Sequence, residues 1–317
     1  MSYNLRVCKL SILLIFTIFY CGCSKQWIIS KGINFAVPVV LENGLESFLE
    51  ESDPVIDEIS VASNLKLLDI MLVSTPNNKT ILNYAAFAYG AYALSFVEYK
   101  MEKAGFNEDE ELENFHRQRA RNLYLRSRSY GFRSLQLSQE GKKLVKLVTS
   151  EKIDLDKISA QLELITFDQR KALFWTTISW GSYLQISRDN LSELALVPVF
   201  KAMGKRVIAL DKEHFFGMPL MIEAMLYAMS PMFGGDELKS SQNFKKVSDI
   251  NKGMCLLNQV FKARFFCTQF DYPEEGVAIL KNIVNTDTSA WPPKYNLINV
   301  IAKRKAKLYL KYADDIF

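Results

Sequence analysis

The chain has 317 residues, enough for one large domain or two small ones. Apolar residues make up 49% and charged residues 23%, the proportions of a globular protein. A formal charge of +4, part of it on Arg6 and Lys9 of a segment expected to be removed, argues against a nucleic-acid binder, which shows a concentrated basic face. With 14 Gly and 9 Pro, long uninterrupted runs favour helices over many short strands.

Arg6 and Lys9 open the chain, residues 10–20 form an uncharged apolar run, and Gly22-Cys23-Ser24-Lys25 comes next. This is the layout of a secretory signal, and the run is too short to span a bilayer with ordinary flanks. A small residue directly before Cys resembles a bacterial lipobox. Cleavage there leaves Cys23 as a diacylglycerol-modified N-terminus, and two or more acyl chains anchor a protein stably. Tyr20 stands where Leu is usual, and Cys21 is the weaker lipidation candidate because bulky Tyr20 precedes it. An ordinary cleaved signal or an uncleaved anchor is the alternative. The chain then divides into a signal peptide (1–22), a tether and entry segment (23–53) and a single all-α domain (54–317). No later segment reads as a membrane span, so the mature part is expected to be soluble, lipid-tethered and periplasmic.

Residues 54–73 place Val55, Ile56, Ile59, Ala62, Leu65, Leu68 and Leu72 at steps of one, three and four, which predicts an amphipathic helix. Ser-Thr-Pro-Asn-Asn at 74–78 ends that helix and can cap another. Residues 79–104 are the next predicted helix, ended by Gly105. Small residues there alternate with Tyr84, Phe87, Tyr89, Tyr92 and Phe96, which lets helices approach closely around large rings. Residues 108–136 start acidic, as the helix dipole favours, and turn basic. Their arginines, Arg121, Arg126 and Arg128 foremost, are candidates for contact with an anion or a partner. The alternative is a solvated face paired with acidic neighbours.

Residues 172–187 carry no charge between Lys171 and Arg188. A surface helix shows one apolar stripe and one charged face. A helix without charge is expected at the centre of the domain, about 24 Å long. Thr176, Thr177, Ser179, Ser182 and Gln185 argue against a membrane span, and Gly181 and Ser182 would admit a neighbouring backbone. Trp175, Trp180 and Tyr183 are either core packing or the wall of an apolar pocket.

A helix is predicted over 190–210, a turn at 211–214, a helix over 215–229 and a loop at 230–236. Ser240, Phe244 and Val247 form a small–large–medium pattern that Gly276, Leu280 and Ile283 repeat, at a separation near the tetratricopeptide length of about 34 residues. The fold class is therefore all-α: a tetratricopeptide-like stack of helical hairpins, an α-solenoid with extra N-terminal helices and a concave surface. A last helix is predicted over 294–314, with Ile298, Ile301, Leu308 and Tyr309 packed and Lys303, Arg304, Lys305 and Lys307 in solvent. Of five cysteines, Cys255 and Cys267 lie too far apart along one helix for a disulfide and are expected as buried free thiols.

The two histidines, His116 and His214, have no partner at metal-ligand spacing. There is no G-x-S-x-G elbow, no phosphate-cradling loop and no C-x-x-C pair. No catalytic residue, metal site or cofactor is assigned.

Several stretches in order resemble the TatT family, the T-component of tripartite ATP-independent periplasmic (TRAP) transporters. They include NLKLLDIML (64–72), AAFAYGAYALSFVE (85–98), ARNLYLRSRSYGFRSL (120–135), LFWTTISWGSYLQISRD (173–189), VIALDKEHFFG (207–217), GGDELKSSQNFKKV (234–247) and NLINVIAKRKAKLYL (296–310). The resemblance implies a periplasmic lipoprotein that forms a homotrimer, each protomer holding a cleft. It implies association with the TRAP solute-binding protein and shelter or transfer of an apolar or organic-acid ligand. Tyr89, Tyr92, Trp175, Trp180 and Tyr183 are then cleft candidates by side-chain type. The rival reading is a tetratricopeptide-like envelope scaffold lipoprotein without a small ligand. An exported hydrolase would need an activated nucleophile, which the sequence does not offer.

Overall fold

The computed structural model describes residues 24–231 and 234–317, so the signal segment and Cys23 lie outside the described residues. Among the described residues every regular element is helical. In chain order they are α1 (Ser24–Glu50), α2 (Pro54–Ser74), α3 (Lys79–Phe106), α4 (Glu110–Leu135), α5 (Gln139–Val148), α6 (Leu155–Glu163), α7 (Arg170–Gln185), α8 (Leu191–Leu194) and α9 (Val197–Asp211). α10 (His214–Tyr227), α11 (Glu237–Asn251), α12 (Leu256–Phe261), α13 (Pro273–Asn285), α14 (Asn296–Lys311) and α15 (Ala313–Ile316) complete the chain.

Short polar side chains start these helices by accepting from amides that have no intrahelical partner. Asp53 accepts from the amides of Val55 and Ile56, with Pro54 in the first turn. Asn78 caps α3, Asp109 caps α4, Ser138 caps α5 and Asp236 caps α11. The predicted helix over 190–210 is in fact two, because Pro198 lacks an N–H and sits in the first turn of a new helix. α3 has the length and composition of a membrane span, contrary to the sequence expectation, but 67% of its apolar window is buried against other helices. It is a core helix.

α7 is the centre, packed against α4, α3 and α9. Phe174, Thr176, Thr177, Ser179 and Trp180 are all buried, which explains why no charge is tolerated there. The close approach of backbones falls at Gly131 of α4 rather than at Gly181: a Cβ on Gly131 would collide with the Thr176 side chain and crowd its backbone, whereas Gly181 faces the Phe200 ring. The Ser127 and Ser179 hydroxyls bond each other, and Ser127 also donates to the Ala86 carbonyl at 2.5 Å. α10 packs on α11, and α13 and α12 pack on α14. Ser240, Phe244, Val247, Leu280 and Ile283 are buried, and Cys255 and Cys267 are buried free thiols.

Two faces depart from expectation. On α2 the packed face is Val61, Leu65, Leu68 and Leu72, so Val55, Ile56, Ile59 and Ala62 lie on the opposite, exposed side. On α14, Lys305 is not solvated but 1% exposed, because Glu102 of α3 supplies a counter-charge at 2.7 Å.

Candidate functional site

A cavity of about 530 Å³ opens between α3, α7, α9, α10 and α12. Its size falls within the range of about 300–1,000 Å³ that holds small ligands. α10 contributes Met218, Met221, Ile222 and Met225, at steps of three and four that put them on one face. α9 contributes Phe200, whose ring fills the space beside Gly181 left by the missing Cβ. Phe200, Met218, Met221 and Phe261 are buried and form the floor, whereas Gln185, Arg188, Thr268 and Gln269 are exposed and form the rim. Methionine suits such a wall, being unbranched and able to adapt to irregular ligands.

Two π-helical turns face this cavity. α3 widens at Ala93–Val97, where Leu94 and the adjoining Glu98 reach the lining. α12 runs into a second π turn, Lys262–Cys267, which presents Arg264 and Phe265. Such turns are rare and recur at functional sites.

Glu98 is buried and accepts from the Tyr124 hydroxyl. Burial pushes its pKa up to about 7, against an opposing pull from Lys305. Lys305 in turn holds Glu102, which also accepts from the Tyr309 hydroxyl at 2.7 Å. These groups form one buried polar network behind the cavity wall.

A family model described as TRAP transporter T-component matches residues 50–317. The chain belongs to that family. No curated protein matches the chain. As a T-component it is an accessory of TRAP transport, which places it in the cell envelope.

The T-component distributes the residues singled out from sequence over two places, neither of them the cavity lining. Tyr89, Tyr92, Trp175, Trp180 and Tyr183 are all buried in the core. The α4 arginines lie on these rings. Arg128 is held over Trp180 at 4.9 Å and Tyr183 at 5.8 Å, and burial lowers its pKa. Arg126 covers Tyr89 at 4.7 Å and pairs with Asp69 at 2.5 Å, and Arg121 pairs with Asp189. Each guanidinium thus has an aromatic or acidic neighbour inside the T-component. Trp175 packs instead with Phe87, Phe174 and Phe215. The cavity residues Met218, Met221, Met225, Arg188 and Arg264 were not singled out from sequence. The methionine spacing on one predicted helix was the available signal.

Proposed function

We propose that this T-component is a lipid-anchored periplasmic protein that binds the TRAP solute-binding protein and shelters an apolar or organic-acid ligand in the methionine-lined cavity. The cavity carries the reading: it is large enough for a small ligand, apolar at its floor and polar at its rim. The tetratricopeptide-like hairpin stack belongs to the same proposal, supported by the two buried small–large–medium sets on α11 and α13.

Cys23 carries the anchor, and a Cys23→Ala substitution should abolish palmitate labelling. The functional form is a homotrimer. Ile56, Ile59, Leu67, Ile70 and Val73 make an exposed apolar stripe along α2, and Val39 and Val40 of the contacting α1 are exposed as well. We assign this stripe to a second copy of the chain, because anchoring through Cys23 would raise the local concentration of copies. The test is sedimentation velocity of residues 24–317, alone and with the TRAP solute-binding protein. A trimer that shifts to a larger complex supports the proposal, and a monomer that ignores the binding protein overturns it.

A further inference from the structure

Arg188 and Arg264 stand on the rim of the same cavity, from two elements far apart in sequence, the end of α7 and the π turn after α12. Among the described residues, the arginines paired with carboxylates are Arg117, Arg121, Arg126, Arg170 and Arg206. Arg188 donates only to the side chain of Gln185, at 2.7 Å, and Arg264 rests over the Tyr309 ring at 6.0 Å. Both line the same cavity, and desolvation followed by the charge of Arg264 holds the Arg188 pKa below its ordinary value. Glu98 does not neutralise them. Its carboxyl is engaged by Tyr124, and the charges acting on it are Lys305 and Glu102.

Two like charges held together at a cavity mouth repel each other, and the arrangement costs stability unless an anion joins them. Guanidinium groups offer planar forks of donors that match carboxylate and phosphate oxygens. Most of the remaining lining is apolar, with Met221 and Met225 from α10 and Phe261 and Phe265 from α12 and its π turn.

Resting on the reading that this cavity holds a ligand, we propose that the ligand is an amphiphile with one anionic head, gripped by Arg188 and Arg264 at the rim, and a single apolar body lying on the methionine face of α10. The arginines give the site its selectivity, and the floor gives it adaptable apolar contact. A purely apolar ligand would leave both charges unpaired at the rim, and a cationic one would add a third.

The test uses residues 24–317 and calorimetric titration with dodecanoate, dodecyl phosphate and dodecanol below their micellar concentrations. Either anion should bind at least about tenfold more tightly than the alcohol, the scale of one or two charged hydrogen bonds. Arg188→Met combined with Arg264→Met should erase that preference while leaving dodecanol binding in place. Met225→Trp, which puts a bulkier ring on the methionine face of α10, should weaken binding of all three. Equal binding of anions and alcohol, or a preference that survives the double substitution, overturns the arginine grip while leaving the cavity reading intact. Absence of any binding, or binding indifferent to Met225→Trp, overturns both. Circular dichroism melting of each variant separates a lost site from a lost fold.

Discussion

At the residue scale, one cluster gathers several buried ionisable groups. Lys305, Glu102, Glu98, Tyr124 and Tyr309 lie together where α3, α4 and α14 meet. Removing one partner of a buried pair leaves the other charge uncompensated. Lys305→Met should lower stability by about 3 kcal/mol, read by urea denaturation; a loss no larger than that of a surface lysine would show the network to be dispensable. Glu98 makes stability depend on pH. Its folded pKa, about 7, lies above the unfolded value of about 4.3. Its contribution is fully present below the unfolded value and is lost as pH rises through the folded one, when the native state must bury a charge. Glu98→Gln, which cannot ionise, should therefore gain on the parent protein between pH 5 and pH 8, by on the order of 2–3 kcal/mol. A difference independent of pH would contradict this.

At the element scale, helix existence was legible because capping residues and apolar spacing agree: Asp53, Asn78, Asp109 and Asp236 each sit one residue before a helix that forms. Which face packs was less legible. α2 is apolar on two sides, and periodicity alone does not say which one meets the core. Lys305 reads as a solvated residue until Glu102, distant in sequence, is placed opposite it. The start of α10 was illegible for a different reason. Phe215, Phe216 and Gly217 take left-handed conformations, with φ of 45°, 64° and 83°. Two consecutive non-glycine residues there oppose local preference, and the aromatic contacts of Phe215 with Trp175 and of Phe216 with Tyr295 hold them. The α2 stripe gives a prediction of its own. Ile59→Asp together with Val73→Asp should convert the proposed trimer to monomer in sedimentation velocity, with circular dichroism unchanged. A trimer that persists would move the copy–copy contact elsewhere.

At the scale of the whole molecule, the candidate site illustrates why a ligand pocket is harder to read than a core. Trp175, Trp180 and Tyr183 attract attention by size, yet they close the centre of the fold, where large rings fill space. The arginines of α4 attract attention by number, yet they lie on those rings and on Asp69 and Asp189. The cavity is made by the residues between: methionines of α10, one phenylalanine from α9 and two rim arginines that come together only when α7 and α12 pack at the same mouth. That convergence is tertiary, and no local pattern encodes it.

The paired π turns carry a consequence for the history of the chain. A π turn is an α-helix that has accepted one extra residue, and each residue turns a helix by about 100°. Without the extra residue in Ala93–Val97, Glu98 would rotate away from the lining; without the one in Lys262–Cys267, Arg264 and Phe265 would do the same relative to α12. Both turns contribute residues to the one cavity. Relatives that keep this cavity should therefore carry both π turns, and deletion of Ser95, which also turns Glu98 and Glu102 away from Tyr124 and Lys305, should cost stability along with the site.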